Sequence, residues 1–528
     1  MENNELNEDE IASYLGRRGY TIKKENLSHK EQQAIRKDLK VKPFSMNQMV
    51  KPKPFPVFRE SKYKLYLPRF YAIKTYGEPD AIKIGDGDDI DVNFKGELRD
   101  VQKPVADTYI KCAKNVGSGL LQLHTGFGKT IIALHIIGTL KKKTIIIVHK
   151  EFLMNQWIER IEQFLPDAKV GKIQANVIDI DGKDIVLCML QSLSMKDYPI
   201  NLFDSFGLSI YDEVHHISAE VFSRALFKVV TKYSLGLSAT LQRKDGLTKV
   251  IKMFLGDIVY KKERKGEDDV LVRAIHYYNS DKDFDDVVLN FRGQVNYTSM
   301  IKKLCEFTPR SEFILYVLKD ILKKNKNQQI MILAHNKNLL KYLHDAIETR
   351  VIATVGYYVG GMKDIELKKS EKKKVIIATY AMAAEGLDIK TLSTLIMATP
   401  KIDVNQSVGR ILRQKNSQAL VIDIVDQHGL FQRHYNKRKT FYRKQKFKLI
   451  ETTQHGYLKD EWETVFDFKA GILKKSRKKS TTGSNSNTKR KHSTKMTPNE
   501  KFKNMFVKTE VNQSSTFGNG VCMMLDDD

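Results

Sequence analysis

The sequence has little cysteine, only two tryptophans, and no long apolar run. Its four cysteines lie far apart, with no Cys-x-x-Cys spacing, at Cys112, Cys188, Cys305 and Cys522. This excludes a disulfide scaffold and a cysteine-type zinc finger, and it is typical of a reducing compartment. No apolar run approaches the roughly 20 residues that span a bilayer, and the acidic start MENNELNEDE does not have the form of a secretory signal. We therefore expect a soluble intracellular protein without a membrane partner.

Positive charge is what the sequence has in excess. The 528 residues include 89 Lys+Arg against 63 Asp+Glu, which leaves a formal net charge of +26. Such an excess favours a polyanion as partner, because each cation placed on a phosphate releases a condensed counterion. At roughly 150 residues per domain, the length predicts about three domains. Hydrophobic residues make up 41%, which is ordinary for a chain that buries sizeable cores.

From about residue 98, short apolar runs alternate with helical stretches. The apolar runs of the first block are GLLQL, TIIIVH, DIVLCML, LSIYDE and YSLGLSAT. Strands that are apolar throughout and separated by helices are typical of a parallel sheet covered on both faces. The rhythm pauses over KKERKGEDDV and resumes with QQIMILAHN, KKVIIATY, LSTLIMATP and QALVIDIVD. The sequence thus predicts an α/β fold built from two tandem blocks.

The two ends of the chain differ from these blocks. Near the start, KPKPFPVFRE is predicted to be an extended connector. YKLYLPRFYAI is interpreted as a strand edge, with an accessory surface that contacts nucleic acid as the alternative. Near the end, KKSRKKSTTGSNSNTKRKHSTKM carries many cations and almost no apolar residue, so it is predicted to be a disordered basic tail. The tail is interpreted as either a nuclear address or a non-specific nucleic-acid tether.

A candidate phosphate loop follows the strand GLLQL. The loop HTGFGKT leads directly into the helix TIIALHII, and a strand, a glycine-containing loop and a helix N-terminus in this order hold phosphates by backbone N–H groups and the helix dipole. The first position of the usual GxxxxGK[ST] pattern is Leu123 here, so the pattern is incomplete. We expect Lys129 to reach the β- and γ-phosphates of ATP and Thr130 to bind Mg²⁺. The loop residues predicted to contact the nucleotide are Thr125, Gly126, Phe127, Gly128, Lys129 and Thr130.

A pair of acidic residues ends the strand LSIYDE. Asp212 and Glu213 lie at the carboxyl tip of this strand, where ligands bind in parallel α/β sheets. Asp212 is predicted to bind Mg²⁺, and Glu213 to position or deprotonate the attacking water. His215 and His216 follow closely, but no third ligand lies at a spacing suited to zinc. Trp157, in NQWIERI, is interpreted as a helix-packing residue, with base stacking as the alternative.

The order of these motifs along the chain resembles that of the superfamily 2 helicases and translocases. The matching segments run in the order LRDVQ, HTGFGKT, DEVHH, LSAT, ATYAMAAEGLDI and QSVGRILR. They cover residues from about 98 to 415, and several motifs in a fixed order are highly specific. VHKEFLMNQW and LGLSATLQRKDGL are similar to the branch that includes the repair helicase XPB, the phage helicase UvsW and the transcript-release helicases of large DNA viruses. The run RKD at 243–245 departs from that branch's Arg-Glu-Asp signature at its middle residue.

The resemblance implies a role for each matching residue. Arg99 and Gln102 match the residues that recognise adenine. A coupling group, which links the nucleotide state to the relative position of the lobes, is implied to comprise Ser238, Ala239, Thr240 and His215. In the fifth motif, Thr379 matches a nucleic-acid contact, while Gly386 and Asp388 match nucleotide contacts. In the sixth motif Gln406 matches a nucleotide contact, and Arg410 and Arg413 match catalytic arginines that reach the γ-phosphate.

Together these features predict a fold of two tandem RecA-like parallel-sheet lobes with an N-terminal accessory region and a disordered basic C-terminal tail. The predicted boundaries are 1–97 for the accessory region, 98–262 and 263–452 for the lobes, and 453–528 for the C-terminal extension. The predicted function is that of an ATP- and Mg²⁺-dependent motor on nucleic acid, with DNA preferred to RNA and the transcription machinery as a further partner. The alternatives are an RNA helicase or transcript-release factor, and an inactive nucleic-acid-binding scaffold. The nucleus, a cytoplasmic viral factory and the virion are all compatible locations.

Overall fold

A computed structural model of the chain describes residues 11–44, 52–214, 219–241, 246–263, 269–385, 389, 391–404, 407–409 and 418–473. All of these residues belong to one compact unit. The predicted basic tail and the RKD run lie outside the described residues. The same holds for six candidate site residues, namely His215, Gly386, Asp388, Gln406, Arg410 and Arg413.

The N-terminal region forms a small sheet with two helices. Its elements are β1 (Ser13–Gly16), β2 (Gly19–Lys23), α1 (His29–Asp38), β3 (Lys40–Val41), β4 (Phe55–Pro56), β5 (Arg59–Glu60), β6 (Lys64–Leu67), α2 (Arg69–Tyr76) and β7 (Ala81–Ile82). The sheet order is β5-β6-β2-β1-β7, while β3 and β4 pair separately. YKLYLPRFYAI is therefore not a strand edge, since its first half forms β6, an internal strand between β5 and β2. Its second half becomes α2 because Pro68, at the N-cap, ends the strand and has a backbone suited to the start of a helix.

Arginines attach this region to the first lobe. Arg59 donates a hydrogen bond to the carbonyl of Arg224 at 3.2 Å, and its guanidinium lies 5.4 Å from the Phe227 ring centroid. Arg69 donates to the carbonyls of Lys232 and Val116, both at 3.2 Å. These contacts join the accessory region to the lobe at several separate points.

The first lobe contains an eight-stranded sheet of order β11-β10-β12-β9-β13-β14-β8-β15. All neighbouring strands are parallel except β10 and β11. The elements are α3 (Lys103–Val116), β8 (Ser118–Leu123), α4 (Lys129–Leu140), β9 (Thr144–Val148), α5 (Glu151–Phe164), β10 (Val170–Gln174), β11 (Val177–Asp179), β12 (Ile185–Met189), α6 (Leu190–Met195), β13 (Leu208–Tyr211), α7 (Ala219–Leu226), β14 (Tyr233–Ser238), α8 (Thr248–Leu255) and β15 (Ile258–Lys262). Apolar clusters on both faces of this sheet explain why its central strands are apolar throughout.

The second lobe contains a nine-stranded sheet of order β18-β19-β17-β20-β21-β16-β22-β23-β24. Its elements are β16 (Val270–Tyr277), α9 (Lys282–Asp285), α10 (Tyr297–Glu306), α11 (Thr308–Lys324), β17 (Gln329–Ala334), α12 (Lys337–Thr349), β18 (Val355–Tyr358), α13 (Asp364–Glu371), β19 (Val375–Thr379), α14 (Tyr380–Glu385), β20 (Leu392–Met397), β21 (Ala419–Asp426), α15 (Gly429–Lys444), β22 (Lys448–Thr453), α16 (Gln454–Leu458), β23 (Glu463–Asp467) and β24 (Ile472–Leu473). Two such α/β sheets in tandem confirm the predicted fold class. The sheet continues beyond residue 452, through β23 and β24.

Two buried arginine–aspartate pairs hold the second lobe together. Arg310 binds Asp426 through two hydrogen bonds of 2.5 and 2.9 Å, and Arg438 binds Asp423 through two of 2.8 Å. Each arginine also donates to a backbone carbonyl in the segment that follows β20, at Ala398 or Lys401. Because each of these four charged groups makes at least two hydrogen bonds, the desolvation cost of burial is offset. The pairs thereby fix the start of the segment that leads to the sixth motif.

Val351 is an exposed residue whose backbone is unfavourable for its side chain. Its φ is +49°, a left-handed conformation that β-branched residues avoid, and it is 88% exposed. We expect Val351→Asn to raise the free energy of unfolding by about 1 kcal/mol, because asparagine tolerates this conformation. Denaturant unfolding would measure the change. Val177→Asn, at an exposed position in β11, is the control and should not stabilise; equal behaviour of both variants would contradict the strain argument.

Among the described residues, every helix is too short or too polar to cross a membrane.

Candidate nucleotide-binding site

The phosphate loop lies between β8 and α4, as the sequence predicts. Gly126 and Gly128 have φ of +81° and +94°, a region that glycine occupies without a steric penalty. The helix α4 begins at Lys129, and its N-cap Gly128 supplies no side chain to cap the first turn. The backbone N–H groups of that turn, which include that of Thr130, are therefore suited to bind an anion.

Arg99 and Gln102 hold the backbone of this loop. Both side chains donate hydrogen bonds to the Phe127 carbonyl, that of Gln102 at 2.8 Å. The Gln102 amide oxygen accepts from the Arg99 backbone N–H at 3.0 Å. A Cβ at Gly128 would lie 2.3 Å from the Gln102 amide nitrogen, so a side chain there would displace Gln102 as well as strain the left-handed backbone. The two residues that were expected to recognise adenine are thus also connected to the phosphate loop itself.

The acidic pair follows β13 and faces the loop. The Lys129 ammonium lies 3.2 Å from a Glu213 carboxylate oxygen, and the two side chains are only 12% and 15% exposed. Glu213 has a φ of +48°, which is unusual for a residue with a side chain and is often found at functional sites. Its backbone N–H donates to Asp212 Oδ1 at 2.9 Å, and the next N–H, that of Val214, donates to the Leu237 carbonyl at 3.3 Å. These bonds stabilise the turn that directs Glu213 toward Lys129.

Asp212 is buried, and a tryptophan positions it. The Trp157 indole N–H donates to Asp212 Oδ2 at 2.9 Å, and Trp157 is only 2% exposed. Burial, together with the nearby negative charge of Glu213, raises the pKa of Asp212 to about 6, although Lys129 and the Trp157 hydrogen bond oppose the shift. The sequence identifies Trp157 as a packing residue, which its burial in the lobe core fits. Its hydrogen bond to Asp212 has no sequence signal, since 55 residues separate the two.

Three of the four residues predicted to couple the lobes, Ser238, Ala239 and Thr240, lie at the end of β14, next to the phosphate-loop strand. Ser238 pairs with Gln122 of β8. The Ser238 hydroxyl donates to the Thr240 carbonyl at 2.5 Å and accepts from the Thr240 backbone N–H at 3.2 Å. Ala239 lies inside this small turn. A movement of β8 would therefore displace this segment directly.

The second lobe approaches the phosphate loop through the sixth motif. Residues 407–409 are helical, and a Cβ at Gly409 would lie 3.4 Å from the Thr125 Cβ. The backbone directly before Arg410 therefore lies against the loop. Thr379 ends β19, at the same carboxyl edge of the second sheet where β17 ends.

The residues present fit the chemistry of a magnesium–nucleotide site. Mg²⁺ is usually held by one or two carboxylates together with phosphates and waters, and not by a full cage of protein ligands. Asp212 offers a buried carboxylate and Thr130 a hydroxyl in the first turn of α4. Among the described residues no group of three or more His, Cys, Asp or Glu side chains forms such a cage.

Family models match both lobes. The model described as "Type III restriction enzyme, res subunit" matches residues 95–243, and "Helicase conserved C-terminal domain" matches residues 314–415. Each match covers part of one of the two lobes that the structure shows. The class defined by this fold and these motifs is that of the superfamily 2 helicases.

Relatives make the assignment more specific. The chain is 34% identical over 466 residues to the "Putative ATP-dependent RNA helicase L396" of Acanthamoeba polyphaga mimivirus, covering 86% of this chain and 89% of the relative. It is 29% identical to the "Putative helicase 161L" of Invertebrate iridescent virus 6, over 67% of this chain and 83% of the relative. It is 26% identical to "DNA 3'-5' translocase XPB2" of Sulfurisphaera tokodaii, over 63% of this chain and 82% of the relative. The chain therefore belongs to the superfamily 2 helicases, in the group that large DNA viruses carry, and it is an ATP-hydrolysing enzyme. The resemblance seen in the motifs is confirmed.

A solved structure shares the fold. The structure titled "S. cerevisiae Dbp5 bound to RNA and ADP BeF3" is similar with a TM-score of 0.51 at 13% identity, over 69% of this chain and 92% of that one. At this identity the similarity concerns the arrangement of the two lobes and not the substrate.

Proposed function

We propose that this helicase hydrolyses ATP between its two lobes and uses the cycle to move along a nucleic-acid strand. The observation that carries the proposal is the contact of 3.2 Å between Lys129 and Glu213 beside the buried Asp212, at the carboxyl edge of a parallel sheet. A cation poised for phosphate and a carboxylate poised for water are thereby brought together. Phosphoryl transfer needs mainly such positioning and charge stabilisation.

Within the first lobe, each residue has a distinct task. Lys129 exchanges its contact with Glu213 for the β- and γ-phosphates when ATP binds, which releases Glu213 to orient or deprotonate the attacking water. The loop residues Thr125, Gly126, Phe127 and Gly128 bind phosphate oxygens by their backbone. Arg99 and Gln102 contact the adenine and, through the Phe127 carbonyl, transmit its presence to the loop.

Thr130 and Asp212 would hold Mg²⁺. When bound, the ion supplies charge neutralisation for the phosphates. The task of the protein is to keep the Asp212 carboxylate in place, which Trp157 and the Glu213 N–H do through its two oxygens.

The second lobe completes the site. Arg410 and Arg413 reach the γ-phosphate, and the position of Gly409 against Thr125 supports this. Gln406, Gly386 and Asp388 contact the nucleotide, and Thr379 contacts the nucleic-acid backbone. Ser238, Ala239, Thr240 and His215 link hydrolysis to the movement of the lobes. Loss of the γ-phosphate removes a bridge between the lobes, so that they separate and advance.

DNA is the proposed nucleic-acid substrate, and the transcription machinery of a viral cycle is the proposed further partner. The preference for DNA rests on the branch of the family and on the name of the XPB2 relative, whereas the names of L396 and of the "Putative ATP-dependent RNA helicase QP509L" of African swine fever virus favour RNA. The deciding experiment measures ATP turnover with duplex DNA, single-stranded DNA, duplex RNA, or no nucleic acid. Stimulation by duplex DNA above RNA supports the proposal. Stimulation by RNA alone would establish the alternative.

The basic tail is expected to increase affinity for nucleic acid without affecting the motor. It carries nine cations between residues 474 and 495, at Lys474, Lys475, Arg477, Lys478, Lys479, Lys489, Arg490, Lys491 and Lys495. Removal of all residues after Leu473 should weaken binding at low salt and flatten the dependence of affinity on salt, since fewer counterions are released. Turnover at saturating nucleic acid should stay the same, because the assigned ATP-site residues all precede the cut.

The control for this truncation ends after Pro498 and keeps all nine cations. Binding measured from about 50 to 200 mM salt compares the two forms. If both truncated forms show the same salt dependence as the full chain, the tail does not act as a nucleic-acid tether, and its interpretation as a nuclear address is favoured.

A further inference from the structure

We propose that Trp157 is a positioning residue for Asp212, and that helix α5 makes this positioning dependent on contact between the two lobes. The inference rests on the proposed ATP site. It adds a structural route by which contact between the two lobes affects the position of Asp212. It is supported by the contacts that the two opposite faces of helix α5 make.

The inner face of α5 carries Trp157. The Trp157 ring N–H donates to Asp212 Oδ2 at 2.9 Å, and the other Asp212 oxygen accepts from the Glu213 backbone at 2.9 Å. Each carboxylate oxygen therefore has a protein donor that limits its rotation. Leu153, Met154 and Ile161 share the buried face with Trp157, so the indole moves with the helix as a unit.

The outer face of α5 touches the second lobe at α13. Asn155 donates a hydrogen bond to the Asp364 carboxylate, and Lys368 forms an ion pair with Glu159. We call these two pairs the α5–α13 contact. At about 100° per residue, positions 155 and 159 fall on one face, roughly 160–200° from position 157. The same helix thus binds Asp212 with one side and the second lobe with the other.

Phe152, in the first turn of α5, strengthens this link. It is half-buried and packs against the apolar core of the first lobe and also against that of the second. A change in the distance between the lobes must therefore displace the start of α5 or break these contacts. Because packed helices shift as rigid units, the displacement is carried to Trp157 at the next turn.

The first test uses Trp157→Phe, which keeps a buried aromatic ring but removes the N–H together with three of the nine ring atoms of the indole, including the nitrogen. ADP binding is measured with a fluorescent analogue at rising Mg²⁺ and in EDTA. Loss of a hydrogen bond to a charged group should weaken the apparent Mg²⁺ affinity at saturating ADP about tenfold, while ADP affinity in EDTA stays the same. Ile161→Val, on the same buried face, is the control for packing and should change neither. An unaltered Mg²⁺ affinity in Trp157→Phe, or an equal loss in Ile161→Val, would overturn the positioning role.

The second test uses the fact that the chain has only two tryptophans. Trp462→Phe leaves Trp157 as the sole indole, whose emission responds to charge and hydrogen bonding at its ring nitrogen. Magnesium–ADP should change this emission, and ADP in EDTA should not. Lys368→Glu, which places like charges at the α5–α13 contact, should reduce the response about two- to fivefold. Combining Lys368→Glu with Glu159→Lys restores an ion pair and should restore the response.

The outcomes separate the two proposals. If wild-type protein fails to bind ADP with or without Mg²⁺, the proposed ATP site and this inference both fall. If ADP binds with Mg²⁺ but Trp157 emission does not respond, or if Lys368→Glu leaves the response intact, the inference falls and the ATP site stands. Failure of the double exchange to restore the response would also overturn the role of the α5–α13 contact.

Discussion

Lys129→Ala is expected to lower ATP turnover at least about a hundredfold, the size of effect seen when a preorganised charge donor is removed from a reacting centre. The Lys129 ammonium is the cation at the end of the phosphate loop, and it is mostly buried beside Glu213. Its removal deletes the contact to the β- and γ-phosphates and takes away the cation that lies beside Glu213. ATP binding should weaken along with turnover, since the contact exists before and during transfer.

Turnover measured with saturating nucleic acid, together with an unfolding curve, checks this expectation. Lys252→Ala is the matched control, because Lys252 also belongs to the first lobe and pairs with an acid, Asp257, at 2.9 Å, but on the surface. The control should retain wild-type turnover. A folded Lys129→Ala variant that hydrolyses ATP like the wild type would show that the phosphate loop has been misassigned.

Glu213→Gln is expected to bind ATP and to hydrolyse it about 10²- to 10⁴-fold more slowly, the usual contribution of a general base. The amide keeps the size of the side chain and an oxygen that can accept from Lys129, but it cannot take a proton from water. Loss of one negative charge near the γ-phosphate should preserve or increase ATP affinity. The variant should therefore accumulate with ATP bound and with its lobes together.

A fluorescent ATP analogue measures affinity, and a donor–acceptor dye pair with one dye on each lobe measures closure. Glu220→Gln is the control, since Glu220 forms a surface ion pair with Arg224 at 2.6 Å in the same lobe. If ATP affinity collapses together with turnover in Glu213→Gln, then Glu213 is needed for the structure of the turn and not for water activation.

Much of the fold follows from the sequence alone. Continuous apolar runs such as TIIIVH become central parallel strands. Both faces of the sheet are covered, so every side chain of such a strand is buried and apolar residues are favoured at each position. The helix α2 was not foreseen, because YKLYLPRFYAI has the aromatic content of a strand and only the position of Pro68 marks the change. Local composition is ambiguous where a strand and a helix meet within a few residues.

The candidate site, like the fold, follows only in part from local sequence patterns. The phosphate loop and the acidic pair are local patterns, and the structure brings them together in the contact between Lys129 and Glu213. The roles of these residues stay predictions until they are tested, as do those of Arg410 and Arg413, which lie outside the described residues. The participation of Trp157 has no local pattern at all, since a buried tryptophan on a helix has the same sequence signature whether or not it binds a carboxylate.

The sequence by itself determined the α/β class, the two lobes, the family and the identity of the residues that could meet ATP, because each depends on periodicity or on short motifs whose spacing is fixed by the backbone. Only the tertiary structure decided which of these residues touch. Trp157 reaches Asp212 across 55 residues of chain, Gly409 lies against Thr125, and Arg59 binds the Arg224 carbonyl. Such contacts depend on how separate strands and helices pack, and packing is a property of the whole core that no single segment encodes.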